Sequence, residues 1–384
     1  MSVIVASKEE VQKYYESEAL GQSKLKLLLG DLSSFNKEFD SSAEHFLIGS
    51  AVDCILTNSR EAFNQEYYTS EIEKTPSEAL VEILKLVHEN LLEDYAESLE
   101  VMFTGEEPAP PVTPFPEFVG ELKNWKAYIL EACERTGWQP RWGEDAKFNN
   151  VIVASDYFMD LCKAFGKTVI SQTQANTING IVSSLEGNPR TARYFDRRTL
   201  EDYAKVEVYY QFPVYFEYRG VRCKALLDIV IVERNDAGEI TSVTPIDLKT
   251  MNGNTYYFPS SIKTRRYDIQ AAWYTLALEK HFGPGLIKPF QFVVESTSYQ
   301  GKPLLFEVEQ SLLNIGKQGK KAISVVDTDM FSDIMQNEVL KQEVLGYEQL
   351  LDLYIYHSEN GFNEERAIQE AGLQPLKVDW NGIK

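Results

Sequence analysis

The stretch VEVYYQFPVYFEYRGVRCKALLDIVIVERNDAGEITSVTPIDLKT, residues 206–250, decides how the chain is read. It is dense in Val, Ile, Tyr and Phe, alternates with a period of two, and carries turn signals at Tyr218-Arg219-Gly220 and Asn235-Asp236-Ala237-Gly238. That pattern predicts three successive strands, over 206–218, 221–233 and 241–249. Downstream, RRYDIQAAWYTLALEKH predicts a helix near 265–281, followed by strands near 289–296 and 303–308 and a helical C-terminal region. Upstream, helical spacing dominates. Two helices are expected between 22 and 60, with Ser23 as an N-cap, then one helix or a pair over 75–103, and further helices near 117–136, 146–165 and 173–185. The order predicts an α/β (α+β) fold with a mixed β-sheet core flanked by helices and helical elaborations at both ends.

At 384 residues, with 43% hydrophobic and 12% aromatic residues, the chain is expected to be globular. Nothing approaches the roughly 20 apolar residues of a membrane span, so no membrane partner is expected. The start, MSVIVASKEEVQ, lacks a basic n-region, which points to the cytoplasm. Cys54, Cys133, Cys162 and Cys223 are scattered and read as free thiols, without the clustering an iron–sulfur site needs. The net charge of −20 excludes a broadly basic, histone-like binder but not a local basic channel. The run EEPAPPVTPFPEF, 106–118, holds five prolines and forbids a regular helix; it reads as a surface linker within one domain or as a boundary.

The chemistry concentrates between Leu226 and Thr250. Asp228 opens an apolar strand; Asp247 and Lys249 end the next one. Residues two apart on a strand share a face, so Asp247 and Lys249 project together while Leu248 turns inward. If the strands pair through NDAGEI, Asp228 lies beside Asp247. Two carboxylates with the Leu248 carbonyl make a hard oxygen site suited to Mg²⁺ or Mn²⁺. Lys249 would position water or neutralise charge on a phosphorane. Taken alone, Asp-x-Lys is a weak signal and reads sooner as a salt-bridged strand end. Tyr267, Gln270 and Tyr274 share a helical stripe, where Gln270 would orient water or touch phosphate, and both tyrosines also read as core. Trp273 reads as core. Lys263, Arg265 and Arg266 form a local basic cluster placed for phosphates, or a solvated loop. Lys224 is expected either to face the site or to be exposed. His45 and His281 are not compelling ligands.

The run CKALLDIVIV…IDLKT…YDIQAAWY resembles the RecE (exonuclease VIII)-like, phage-type exonuclease branch of the PD-(D/E)XK nuclease superfamily. The family's strand Asp, D/E-x-K and Q-x-x-x-Y helix correspond here to Asp228, Asp247-Leu248-Lys249, and Gln270 with Tyr274. IGSAVDCIL is similar to the family's metal-binding helix, with Gly49 correctly spaced and Asp53 where a His would stand. LGQSKLKLLLGDLSSFNKEF looks like its opening helix. Gln211 falls where relatives carry Glu.

The resemblance implies a restriction-endonuclease-like core at 117–310. An N-terminal helical part, 1–105, would contribute Asp53, joined by a proline-rich linker or loop, 106–116, and followed by a helical region, 311–384. It implies catalytic Asp228, Asp247, Lys249 and Gln270; metal ligands Asp53, Asp228, Asp247 and Leu248; and DNA contacts from Lys263, Arg265, Arg266 and Tyr274. The expected activity is Mg²⁺- or Mn²⁺-dependent 5′→3′ double-strand DNA exonuclease action in phage-type recombination, in a bacterial host cell if phage-encoded. Duplex ends, a single-strand annealing protein and a ring-like homo-oligomer would be the partners. The rival readings are a catalytically weakened nuclease-fold protein that binds DNA or builds virions, and an endonuclease.

Overall fold

The computed structural model describes residues 2–30, 44–103, 115–120, 122, 124–164, 166–195, 205–320 and 344–361. The chain divides into two compact units, one of residues 1–58 with 181–384 and one of residues 59–180. The proline-rich linker expected at 106–116 lies almost wholly outside the described residues.

The first unit is built on a six-stranded mixed sheet: β1 (Ser2–Val5), β4 (Val206–Tyr218), β5 (Val221–Arg234), β6 (Ile240–Met251), β7 (Gln291–Ser296) and β8 (Leu304–Glu307), hydrogen-bonded in that order. The three strands expected between 206 and 249 form an antiparallel meander, and β6 then runs parallel to β7. A parallel pair needs a crossover. Here it is made by two helices, Phe258–Arg265 and Tyr267–Phe282. The single helix expected at 265–281 starts later because Arg266 adopts a left-handed conformation (φ 51°, ψ 49°) that divides the two. The sequence reading missed β1, which lies parallel to Glu207–Tyr210, because a four-residue edge strand carries no period of its own.

The Tyr267–Phe282 helix is apolar nearly all round, with Ile269, Trp273 and Leu278 fully buried, because it is covered on more than one side. Trp273 is core, as expected. Its indole donates to the Lys224 carbonyl at 3.1 Å, and Phe216 and Tyr347 pack on it. The Gln310–Gln318 helix packs on the same helix through Gly316, where a Cβ would stand 2.0 Å from the Asp268 carbonyl oxygen; no larger residue fits.

Ser23 is not a cap: the Gln22–Lys26 helix starts after Gly21, which makes no side-chain cap. The second N-terminal helix, Glu44–Asp53, widens into a π-helix at Cys54–Asn58. The Tyr347–Asn360 helix completes the described part of the C-terminal region; residues 321–343 and 362–384 lie outside it.

The second unit is helical around a separate core of Ile83, Val87, Leu91, Ile129, Cys133 and Phe158, with a two-stranded parallel sheet of β2 (Tyr67–Thr69) and β3 (Thr168–Ile170). All four cysteines are free.

Candidate active site

The meander forks at the motif. Backbone pairing between β5 and β6 runs from Arg234–Ile240 to Ile229–Ile246 and stops there. The next residues inward are Asp228 and Asp247. Beyond the fork the Leu248 N–H donates to Asp228 Oδ2 at 2.9 Å, so a carboxylate takes the place of a strand partner. On the other side of β5, Tyr210 pairs with Ile229 and Phe212 with Leu227, and the intervening Gln211 is held at φ 52°. That strained backbone aims Gln211 at Asp53: its Nε2 donates to Asp53 Oδ2 at 2.6 Å, across 158 positions of sequence.

Asp53 reaches the fork because its helix lies close against β6. A Cβ on Gly49 would stand 3.3 Å from Thr250 Oγ1, so the small residue one turn before Asp53 permits the approach. Asp247 is 1% exposed, and both its oxygens are engaged. Gln270 Nε2 donates to Oδ1 at 2.7 Å, and Lys249 Nζ lies 2.5 Å from Oδ2, an ion pair by distance with an angle poor for a hydrogen bond. Lys249 also stands over the Tyr267 ring, 5.0 Å from its centroid.

The electrostatics follow from three carboxylates crowded into protein. Burial, then Asp247, pushes the Asp53 carboxyl up to about 7, opposed by Lys249. Burial, then Asp247 and Asp53, raises Asp228 well above the usual carboxylate range. Burial raises Asp247 too, against the pull of Lys249. For Lys249, burial works downward, but Asp247, Asp228 and Tyr267 outweigh it and hold the ammonium charged. By surface area Asp53, Asp228 and Lys249 are only half-buried. They line the floor of a cleft of about 620 Å³, where water reaches them but protein atoms surround them.

Among the described residues, no three His, Cys, Asp or Glu side chains stand ready to hold a metal ion. Each of the three carboxylates already has an oxygen engaged by Gln211, Leu248, Gln270 or Lys249. The donor set nonetheless suits a hard divalent ion. Asp53 Oδ1 is buried with no hydrogen-bond partner, and three acids outnumber the two nearby ammonium groups, Lys249 and Lys26.

The remaining expected site residues separate. Arg265 is exposed and lines the cleft, and Lys263 is exposed on the same helix. Arg266 is not placed for phosphate, contrary to expectation: its guanidinium forks onto Asp268 at 3.0 and 2.8 Å and donates to the Leu345 carbonyl at 2.6 Å. Tyr274, expected to contact DNA, is 7% exposed and packs on Phe290; burial foremost, and then Tyr14, Asp247 and Asp228, raise its phenol. Lys224 takes neither expected place: it holds the N-terminal segment through the carbonyls of Tyr14 (2.6 Å) and Ser17 (2.8 Å). His281 packs on Phe212 and Phe282.

Two neighbours of the site escaped the sequence reading. Lys26 approaches from the N-terminal segment, and burial, then Lys249, lowers its pKa to about 8. The Tyr15 ring is 69% exposed, yet burial at its hydroxyl end, then Asp53 and Asp228, raises its phenol. Lys26 lies in the stretch that resembles the family's opening helix, but nothing local gives either residue a place at the site, because only the fold brings residues from the first 30 to a fork near 230–250.

No protein-family model matches this chain. No curated protein matches it either. Among solved structures, a chain described as a "putative exonuclease" from Eubacterium rectale is similar over 97% of this chain and 95% of its own, with 12% sequence identity and a TM-score of 0.40. Likeness at that level assigns neither family nor activity, so the functional argument rests on the fork and its carboxylates.

Proposed function

We propose that this chain is a divalent-metal-dependent deoxyribonuclease. One observation carries the reading: Asp53, Asp228 and Asp247, from three separate elements, crowd around Lys249 in a cleft with exposed Arg265 in its lining. A structural ion pair needs one carboxylate. Three, each with its pKa raised, are an arrangement costly to folding that a bound cation would relieve.

Asp53, Asp228, Asp247 and the Leu248 carbonyl would hold Mg²⁺ or Mn²⁺, which when bound supplies phosphate polarisation and acidification of water. Lys249, kept charged by Asp247 and Asp228, offsets negative charge growing on the phosphoryl oxygens. Gln270 fixes the Asp247 carboxylate, and Gln211 fixes Asp53. Arg265 contacts the phosphate backbone. On the strength of the sequence resemblance, the finer reading is a RecE-like 5′→3′ double-strand exonuclease, ring-forming and paired with an annealing protein.

The test is degradation of linear and of closed circular duplex DNA with Mg²⁺ or Mn²⁺, with EDTA and Asp247→Ala as controls. Metal-dependent loss of linear DNA only is expected, and Asp247→Ala should reduce it on the order of 100-fold or more. Cutting of circles would favour an endonuclease. Binding without any metal-dependent cleavage would overturn the enzymatic reading.

A further inference from the structure

The loops that follow β6 and β7 carry three tyrosines that the folded chain leaves open. Tyr256 and Tyr257 are each 72% exposed and Tyr299 is 66% exposed. Among the described residues none of the three rings packs on another aromatic ring, so their faces are available. Exposed aromatic surface of this size costs solvation, and a polar side chain would serve a plain turn better.

The backbone beneath them is fixed. Asn254 caps the 3₁₀ turn, its Oδ1 accepting from the Tyr256 N–H at 3.0 Å, and Pro259 follows in the first turn of the next helix. The Tyr299 loop is tied to the same segment: Ser296 Oγ accepts from the Tyr299 N–H at 2.8 Å and donates to the Gly253 carbonyl at 2.6 Å. Thr255 Oγ1 donates to the Lys302 carbonyl at 3.3 Å, and Ser298 bonds to Asn252. Two loops at the ends of β6 and β7 thus form one braced ledge. Asn252 and Phe258, which bracket Tyr256 and Tyr257 in the chain, both line the cleft, so the ledge is continuous with the carboxylate site.

We propose that Tyr256, Tyr257 and Tyr299 form a stacking platform for unpaired bases, so that the substrate strand reaches the carboxylates single-stranded, from single strands or frayed duplex ends. The inference rests on the nuclease reading and narrows its substrate. Bases inside a duplex hide their faces in the stack; only unpaired bases offer a π-surface to an aromatic ledge. The charge balance points the same way. In a chain of net charge −20, few phosphate contacts are at hand: Arg265 lines the cleft, Lys263 is exposed on the same helix, and Lys302 is exposed on the Tyr299 loop. Stacking supplies affinity that does not depend on net charge.

The experiment is fluorescence anisotropy of labelled oligo(dT) and of a blunt, clamped hairpin duplex in EDTA, where cleavage cannot intrude. The parent is compared with the triple variant Tyr256→Ala/Tyr257→Ala/Tyr299→Ala and with the corresponding triple Phe variant, each checked for fold by circular dichroism. The Ala variant is expected to lose about tenfold or more in oligo(dT) affinity, with duplex affinity changed less than about threefold. The Phe variant should bind like the parent. Unchanged oligo(dT) affinity in the Ala variant, equal losses on both DNAs, or loss in the Phe variant too would overturn the platform. So would a drop in sedimentation mass with oligo(dT) binding intact, which would assign the ledge to a second copy. Cleavage by the parent in Mg²⁺ is scored separately: binding without cleavage defeats the nuclease reading alone, and cleavage with normal binding by the Ala variant defeats the platform alone.

Discussion

At the scale of single residues, the site is a contest between burial and charge. A carboxyl with a folded-state pKa raised above its unfolded value contributes most to stability when protonated, and that contribution is lost as pH rises through the folded pKa. For Asp53 the window runs from its ordinary 3.8 to about 7. Asp53→Asn is therefore expected to melt about 2–4 °C above the parent at pH 8 and by a smaller margin at pH 5, in EDTA. Added Mg²⁺ should raise the parent's melting temperature at pH 8 and leave the variant's nearly unchanged. Thermal melts at the two pH values decide it; a variant less stable than the parent at pH 8 would contradict the electrostatic account. The Asp247/Lys249 partnership was legible in the sequence because strand alternation is local. The Gln211–Asp53 bond was not, because it spans 158 positions and depends on one left-handed residue.

At the scale of elements, adjacent arginines part company because a helix ends between them. Arg266, at the left-handed junction, turns inward to Asp268 and Leu345, while Arg265 points into the cleft. Arg266→Ala leaves Asp268, 3% exposed, without its cation and should cost on the order of 3 kcal/mol in urea unfolding while sparing DNA affinity. Arg265→Ala should do the reverse, weakening DNA binding with stability changed by less than about 0.5 kcal/mol. Equal effects in both assays would refute the separation. The helix that carries Asp53 makes a second case. Gly49→Val forces it off Thr250, and cleavage should fall more than stability does, measured as kcat/KM against the urea midpoint. The longer helices and the meander strands were readable from periodicity; the short strands β1, β2 and β3 were not. The division at Arg266 was not, since an arginine carries no signal for a left-handed backbone.

At the scale of the whole molecule, net charge and local chemistry oppose each other. Nucleic-acid binding that rests on three exposed cations, Lys263, Arg265 and Lys302, should show a shallow salt dependence. For single strands, log Kd against log salt concentration is expected to change by about 2, at roughly 0.7 per phosphate contact. A dependence several times steeper would reveal a basic surface away from the cleft. Asp53, at the end of the first 58 residues, belongs to the same compact unit as β4–β8 although residues 59–180 intervene. Composition had no means of showing that, because a unit formed from discontinuous segments leaves no boundary signal where the chain returns.

The sequence by itself determined the meander, the crossover that follows it, and the placing of Asp247 and Lys249 on one face of a strand. All three are written in periods of two or 3.6 residues, which are local properties of the backbone. Only the tertiary structure decided which acids share a field, that β5 and β6 fork at Asp228, that Arg266 and Tyr274 turn inward, and that the loops carrying three exposed tyrosines are braced together. Those facts depend on where strand pairing stops and which helix covers which face, and pairing and coverage are settled by contacts between residues far apart in the chain.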